Sequence, residues 1–111
     1  MTFKDWRTDE TENEIGRRTR NEWIEQTSDR FGAHHIEEAY VCECGDPDCV
    51  DNISMTRVEY EAVRSDGSLF VVAIDHEDPE IDRVLLENGR FAVVKKMMAA
   101  GRMSQKANPR R

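Results

Sequence analysis

Outside one stretch of eight positions, Cys42 to Cys49, this 111-residue chain has no cysteine, and inside it there are three. An odd count pairs poorly into disulfides and fits a compartment where thiols stay reduced. No run approaches 18 apolar residues, so no membrane-spanning helix is expected. The opening MTFKDWRTDE carries charges where a secretory signal is apolar. These absences together predict a cytoplasmic protein. There is no internal repeat, no nucleophile elbow, no phosphate-binding loop and no glycine-rich dinucleotide fingerprint. The zinc deaminase pattern, H-x-E followed by P-C-x-x-C, is also missing, because His76-Glu77 comes after the cysteines and the second cysteine pair is not there. Core-forming residues are scarce as well. Leu, Ile, Val and Phe number 22, and 18 of them lie between Ile36 and Val94. One small core confined to that segment is all the chain can build, and domains of this size often depend on a metal or a disulfide.

Acidic residues are missing from the C-terminal stretch. Arg90 to Arg111 holds seven bases and no acid, whereas Glu37 to Gly89 holds fifteen acids and three arginines, a charge of −12. The first 36 residues are nearly balanced, and the whole chain carries −7. An acidic centre argues against a globular nucleic-acid face, since phosphate binding needs concentrated positive potential. The basic end could meet nucleic acid, an acidic partner or the chain's own centre.

Local patterns predict an α+β fold: a small, mainly antiparallel sheet with an N-terminal helix and two short helices, stabilised by zinc. Residues 1–11 are expected to be a flexible arm, 12–96 a single small zinc-binding domain and 97–111 a basic, disordered tail. From Glu12 to Phe31 there is no proline and one glycine, and Trp23, Thr27 and Phe31 share a helical face. Gly32 supplies a stop for that helix. Strands are expected over Ala39–Cys44, Ile53–Thr56, Leu69–Ile74 and Phe91–Val94. Thr56 to Glu59 spells a capping box that starts a helix burying Val58, Ala62 and Val63, with Ser65-Asp66-Gly67 ending it. Asp78-Pro79-Glu80 reads as a second helix start, with Ile81, Val84 and Leu85 at helical spacing. Asn88-Gly89 is then a C-terminal cap, with a type I′ hairpin turn as the alternative.

The cysteine cluster carries the chemistry. Cys42 and Cys44 lie two apart, so an extended backbone points both sulfurs the same way. Gly45 permits a tight, positive-φ turn, and Cys49 returns after a bend through Pro47. Three thiolates can then converge on one tetrahedral ion, and a fourth ligand is needed. His76 is favoured, because it follows Phe70, Val72 and Ile74 by another step of two. His34 and His35 compete from in front of the first cysteine. Three sulfurs and an imidazole suit Zn2+; an iron–sulfur cluster normally takes four cysteines. A redox pair across C-x-C lacks a thioredoxin-like context. Four filled positions predict a structural site, not a catalytic one, although Asp46, Asp48, Glu77 and Asp78 stand near it as carboxylates that could serve as acid or base.

Several segments in this order resemble small, uncharacterised actinobacterial proteins: R-N-E at Arg20 to Glu22, C-E-C-G-D-P-D-C at Cys42 to Cys49, I-x-M-T-x-x-E-Y-E from Ile53, and H-E-D-P-E-I-D-R-V from His76. In those proteins a C-E-C-x-x-x-x-C element precedes a T-x-x-E-Y-E helix, a strand and a G-H-x-x-P-x-x-E-x-V segment. The likeness covers about residues 18–110, including Asn108-Pro109-Arg110. It implies Cys42, Cys44, Cys49 and His76 as metal ligands and brings no biochemical activity with it. This chain has Ile74-Asp75 where those proteins carry a Pro-Gly pair before the histidine. It also reads V-V-K-K at the final strand, where an acid is common.

Taken together, these features predict a small structural-zinc interaction module, an accessory or regulatory protein that binds another protein and is not an enzyme. Its expected contact surfaces are the helix around Arg20-Asn21-Glu22 and the stretch Lys95 to Arg111, where Met97, Met98 and Met103 stand among bases. The alternatives are a metal-dependent hydrolase or redox enzyme, and a nucleic-acid binder acting through the basic tail.

Overall fold

A computed structural model describes residues 6–30 and 37–110, with side chains of the first helix described from Asp9 to Thr27. That helix, α1 (Trp6–Arg30), starts within the expected flexible arm, and Asp9 in its first turn complements the helix dipole. Its inward face also differs from the expected one. Trp23 is exposed, and Phe31 and Gly32 lie outside the described residues. The buried stripe is instead polar: Thr11, Glu14, Arg18, Asn21, Glu22 and Glu25. Hydrophobic periodicity finds little of such a face, because ion pairs and hydrogen bonds hold most of it, with Ile15 and Ile24 packed against the core beside them. Arg18 donates to the carbonyls of Gly67 and Ser104 and lies over the Phe70 ring. Glu22 meets Arg64, and Glu14 meets Lys96.

Strands β1 (Glu38–Val41) and β2 (Asn52–Met55) form an antiparallel pair, with Tyr40 opposite Ile53. Helix α2 (Arg57–Val63) follows, with the expected capping box: Glu59 N donates to Thr56 Oγ1 and Thr56 N to the Glu59 carboxylate. Its buried side chains are Tyr60 and Val63, while Val58 and Ala62 face outward. Strand β3 (Leu69–Val72) then joins a second antiparallel sheet of order β3-β5-β4, with β4 at Asp82–Glu87 and β5 at Ala92–Lys96. The fold is therefore α+β with antiparallel strands, in two small sheets where one was expected. The core of both contains Tyr40, Ile53, Met55, Phe70, Val72 and Val94.

Two stretches differ from expectation. Asp78-Pro79-Glu80 begins one turn and no helix: Ile81 N and Asp82 N donate to the Asp78 carbonyl, and Glu80 N to Asp78 Oδ1. The chain then straightens into β4, because Asp82 is drawn to buried Lys96 and Val84 and Leu86 pair with Val94 and Val93. Helix capping chemistry lost to strand pairing. The connection Asn88–Phe91 is a hairpin loop, in which Asn88 Oδ1 accepts from Arg90 N and Phe91 N.

The second difference is the expected disordered tail. It forms α3 (Met98–Lys106), with Ala100, Gly101 and Ser104 buried. A Cβ at Gly101 would lie 2.6 Å from the Lys96 carbonyl oxygen, so glycine is what lets the helix double back against β5. Beyond it, Asn108 accepts from Arg64, and Arg110 meets Glu22, Glu25 and Glu61. The four bases and no acid of 97–111 read as a solvated tail only while the partners of Arg110 on α1 and α2 are unknown. These ion pairs offset the ordering entropy.

Candidate metal centre

The segment leaving β1 is pinned from three sides. Asn21 on α1 holds the Val41 backbone, its Oδ1 accepting from Val41 N and its Nδ2 donating to Val41 O, both at 2.8 Å. Glu43, fully buried between the two cysteines, pairs with β3: Glu43 N donates to Val71 O at 2.9 Å, and Val71 N to Glu43 Oε1 at 3.0 Å. Its other oxygen accepts from Asn21 Nδ2 and from Tyr60 OH. Burial raises the Glu43 pKa, and the hydrogen bonds from Asn21, Val71 and Tyr60 oppose that rise. Because side chains alternate in extended backbone, anchoring Glu43 inward turns Cys42 and Cys44 together to the other side.

Gly45 follows, but its value is not a positive φ. A Cβ there would come within 2.8 Å of the Glu10 side chain, so glycine admits α1 against the loop. Asp46 then caps the bend, accepting from Asp48 N at 2.9 Å through Oδ1 and from Cys49 N at 3.1 Å through its carbonyl. Cys49 is thereby returned beside Cys42.

His76 arrives by a turn, not by the strand extension the sequence suggests. β3 ends at Val72, and His76 N donates back to Ala73 O at 3.0 Å. Asp75, with φ 69°, occupies the left-handed position of that turn. The imidazole Nδ1 lies 3.5 Å from both Cys42 Sγ and Cys49 Sγ. All four candidate ligand atoms, from Cys42, Cys44, Cys49 and His76, lie within 4.8 Å of one another. A tetrahedral ion with metal–sulfur bonds of ~2.3 Å and a metal–nitrogen bond of ~2.0 Å sets nitrogen and sulfur about 3.5 Å apart. The two nitrogen–sulfur distances therefore already match an edge of such a site, and the group fits a metal ion.

The surroundings complete it. His76 Nε2 lies 3.2 Å from Asp51 Oδ2, which fixes the ring and leaves Nδ1 to face the sulfurs. Ala73 N donates to Cys42 Sγ at 3.2 Å. Arg17 reaches from α1 to Cys44 Sγ at 3.2 Å, Cys44 O at 2.9 Å and Cys49 O at 3.0 Å, setting a positive charge against the thiolates. Hydrogen bonding from Cys42 lowers the Cys44 pKa to about 4, with His76 adding to the effect, while Cys42 is pushed up by that same contact and by burial. The thiolate is thus favoured at Cys44, whereas burial pushes the Cys49 thiol up as well.

Sequence reasoning found the four converging residues and missed those that hold them. Arg17 and Asp51 carry no motif, and Asn21 and Glu43 stand inside R-N-E and C-E-C with no supporting role assigned to them. Only Glu43 had a readable signal, as the residue whose alternation opposes two cysteines. Asn21 and Glu22 read as surface and are buried. Of the acids near the cluster, Asp51 is the one that bonds His76, whereas Asp46 and Asp78 stabilise local turns. His34 and His35 lie outside the described residues. No helix among the described residues is long and apolar enough to cross a membrane. No family model matches the chain, and no curated protein or solved structure does.

Proposed function

We propose that the protein is a structural-zinc interaction module, with Zn2+ held by Cys42, Cys44, Cys49 and His76, that acts by binding another protein. The observation carrying this reading is the spacing of the His76 nitrogen from two sulfurs at the edge length of a tetrahedral site, together with an Asp51–His76 pair oriented for metal binding. Three thiolates and one imidazole match zinc in softness and number, and four protein ligands leave it no open position for substrate. Such an ion would tie the loop after β1 to the turn after β3, joining the two sheets next to α1. A structural zinc supplies about 10–16 kcal/mol of apparent binding energy, which is ample for a chain with so small a core. The basic C-terminal residues lend little to a nucleic-acid role, since Arg90, Lys96 and Arg110 are taken up by acids of this chain.

Metal analysis of the purified protein should give one zinc per chain. Chelation should abolish cooperative unfolding, and Cys49→Ser or His76→Ala should weaken zinc affinity by orders of magnitude. A metal-free protein that melts unchanged would overturn the proposal.

A further inference from the structure

The register of the second sheet gathers an unusual set of side chains on one face. Directly opposed residues share a face, so Leu86, Val93 and Val71 form one row, and Arg83, Lys95 and Leu69 form the next. Around the first row lies an apolar groove of about 260 Å³, walled by Ala62, Val63, Leu69, Leu86, Phe91 and Val93. Its floor is buried at Phe91 and Val93, and its outer wall, Leu86, is 54% exposed. The second row places two cations opposite each other across β4 and β5. Like charges in that position repel, and the chain has acids in excess with which to separate them. Arg83 makes no ion pair among the described residues. Lys95 makes none either among the described residues, and it acts at longer range on Asp66, whose carboxylate is already taken by Ser68 and Gln105. The one acid at the groove, Glu59, is bound by Arg90. Arg102 shares an open depression with Lys95 and adds a third cation. The outer edge of β4 is unpaired among the described residues, since β4 ends the sheet.

We propose that this face receives an extended peptide segment of a partner protein, carrying an apolar residue and an acid two positions apart. The apolar side chain fills the groove, and the carboxylate settles between Arg83 and Lys95. The spacing follows from strand geometry. Val93 and Lys95 are two residues apart on β5, about 6.6 Å, and an extended peptide places its i and i+2 side chains on one face at the same interval. The segment lies on the sheet face over β4 and β5, inside the unpaired β4 edge. The irregularity between Val84 and Leu86 breaks the edge into two short pieces, so side chains and not a continuous ladder select the ligand. The inference rests on the interaction-module reading and is independent of which metal the cysteines hold.

The test is selection of a random heptapeptide phage library on the folded protein, followed by fluorescence polarisation with a synthetic peptide from the enriched pool. The enriched sequences should share an apolar residue two positions from Asp or Glu. Arg83→Glu and Lys95→Glu should each weaken binding tenfold or more, as should Leu86→Asp. All three positions are exposed or on the sheet surface, and melting temperature and zinc content confirm that the variants fold. A peptide with lysine replacing its acid should bind the Arg83→Glu, Lys95→Glu double variant better than the parent. No enrichment would overturn the proposal, as would a motif without an acid or binding indifferent to the charge reversals. A concentration-dependent dimer abolished by the same substitutions would also overturn it, assigning the groove to a second copy. Zinc-loaded, folded protein that selects no motif defeats this inference alone, whereas metal-free, folded protein that selects it defeats the zinc reading alone.

Discussion

Asp75 occupies a position made for glycine. Its φ of 69° lies in the left-handed region, one residue before the candidate ligand His76, in a turn closed by His76 N and Ala73 O. Asp tolerates this conformation better than most residues, yet glycine adopts it without a Cβ penalty. Asp75→Gly is therefore expected to stabilise the folded protein by about 0.5–1 kcal/mol, read as a raised denaturant midpoint at unchanged slope. An unchanged or lowered midpoint would show that the aspartate side chain contributes something this geometry does not reveal.

At the level of elements, α3 and the residues after it serve as the outer wall of a polar core. Removing residues 98–111 strips Glu22 and Glu25 of Arg110 and uncovers Arg18, which donates to Ser104 O. Leaving buried charges uncompensated costs on the order of 3–5 kcal/mol, so the truncated chain should melt many degrees lower even at moderate salt. A melting temperature within a degree or two of the full chain would return the segment to the status of a loose tail. Helix α1 teaches the same lesson from the other end, since its inward face is written in Glu14, Arg18, Asn21 and Glu22 and not in aliphatic residues.

For the whole molecule, part of the charge opposition between the acidic centre and the basic end is matched internally, Arg90, Lys96 and Arg110 meeting Glu37, Glu59, Asp82 and Glu61. Glu59 shows how this sets pH dependence. Its bond to Arg90 holds its pKa below the ordinary glutamate value, with the Thr56 backbone helping. Asp66, bonded to Ser68, and Glu61, bonded to Arg110, are lowered as well. A carboxylate whose folded pKa lies below its unfolded one contributes stability in full above the unfolded value, near 4.5 for Glu59, and loses it as pH falls through the folded value. Stability should therefore decline below about pH 4.5. Glu59→Gln keeps the capping hydrogen bond but removes the charge, so it should be less stable than the parent at pH 7 and converge with it toward pH 3. Parallel curves across that range would exclude the ion pair as the source.

Some of this was present in the sequence alone. The three cysteines, the histidine before Asp78-Pro79, the Thr56 capping box and the apolar run from Leu69 are local patterns, and local patterns survive without knowledge of the rest of the chain. The candidate ligand set needed only residue chemistry and approximate spacing. Tertiary structure decided whatever depended on a distant partner. Asp78-Pro79-Glu80 could have opened a helix until β5 offered Val84 and Leu86 a strand to pair with. The C-terminal bases could have been solvated until Glu22, Glu25 and Glu61 stood beside Arg110. Arg17, Asn21 and Asp51 could not be assigned to the candidate metal centre from sequence, because a polar side chain reads the same whether it faces water or a partner distant in the chain. Only the assembled fold removes the water and supplies the acceptor.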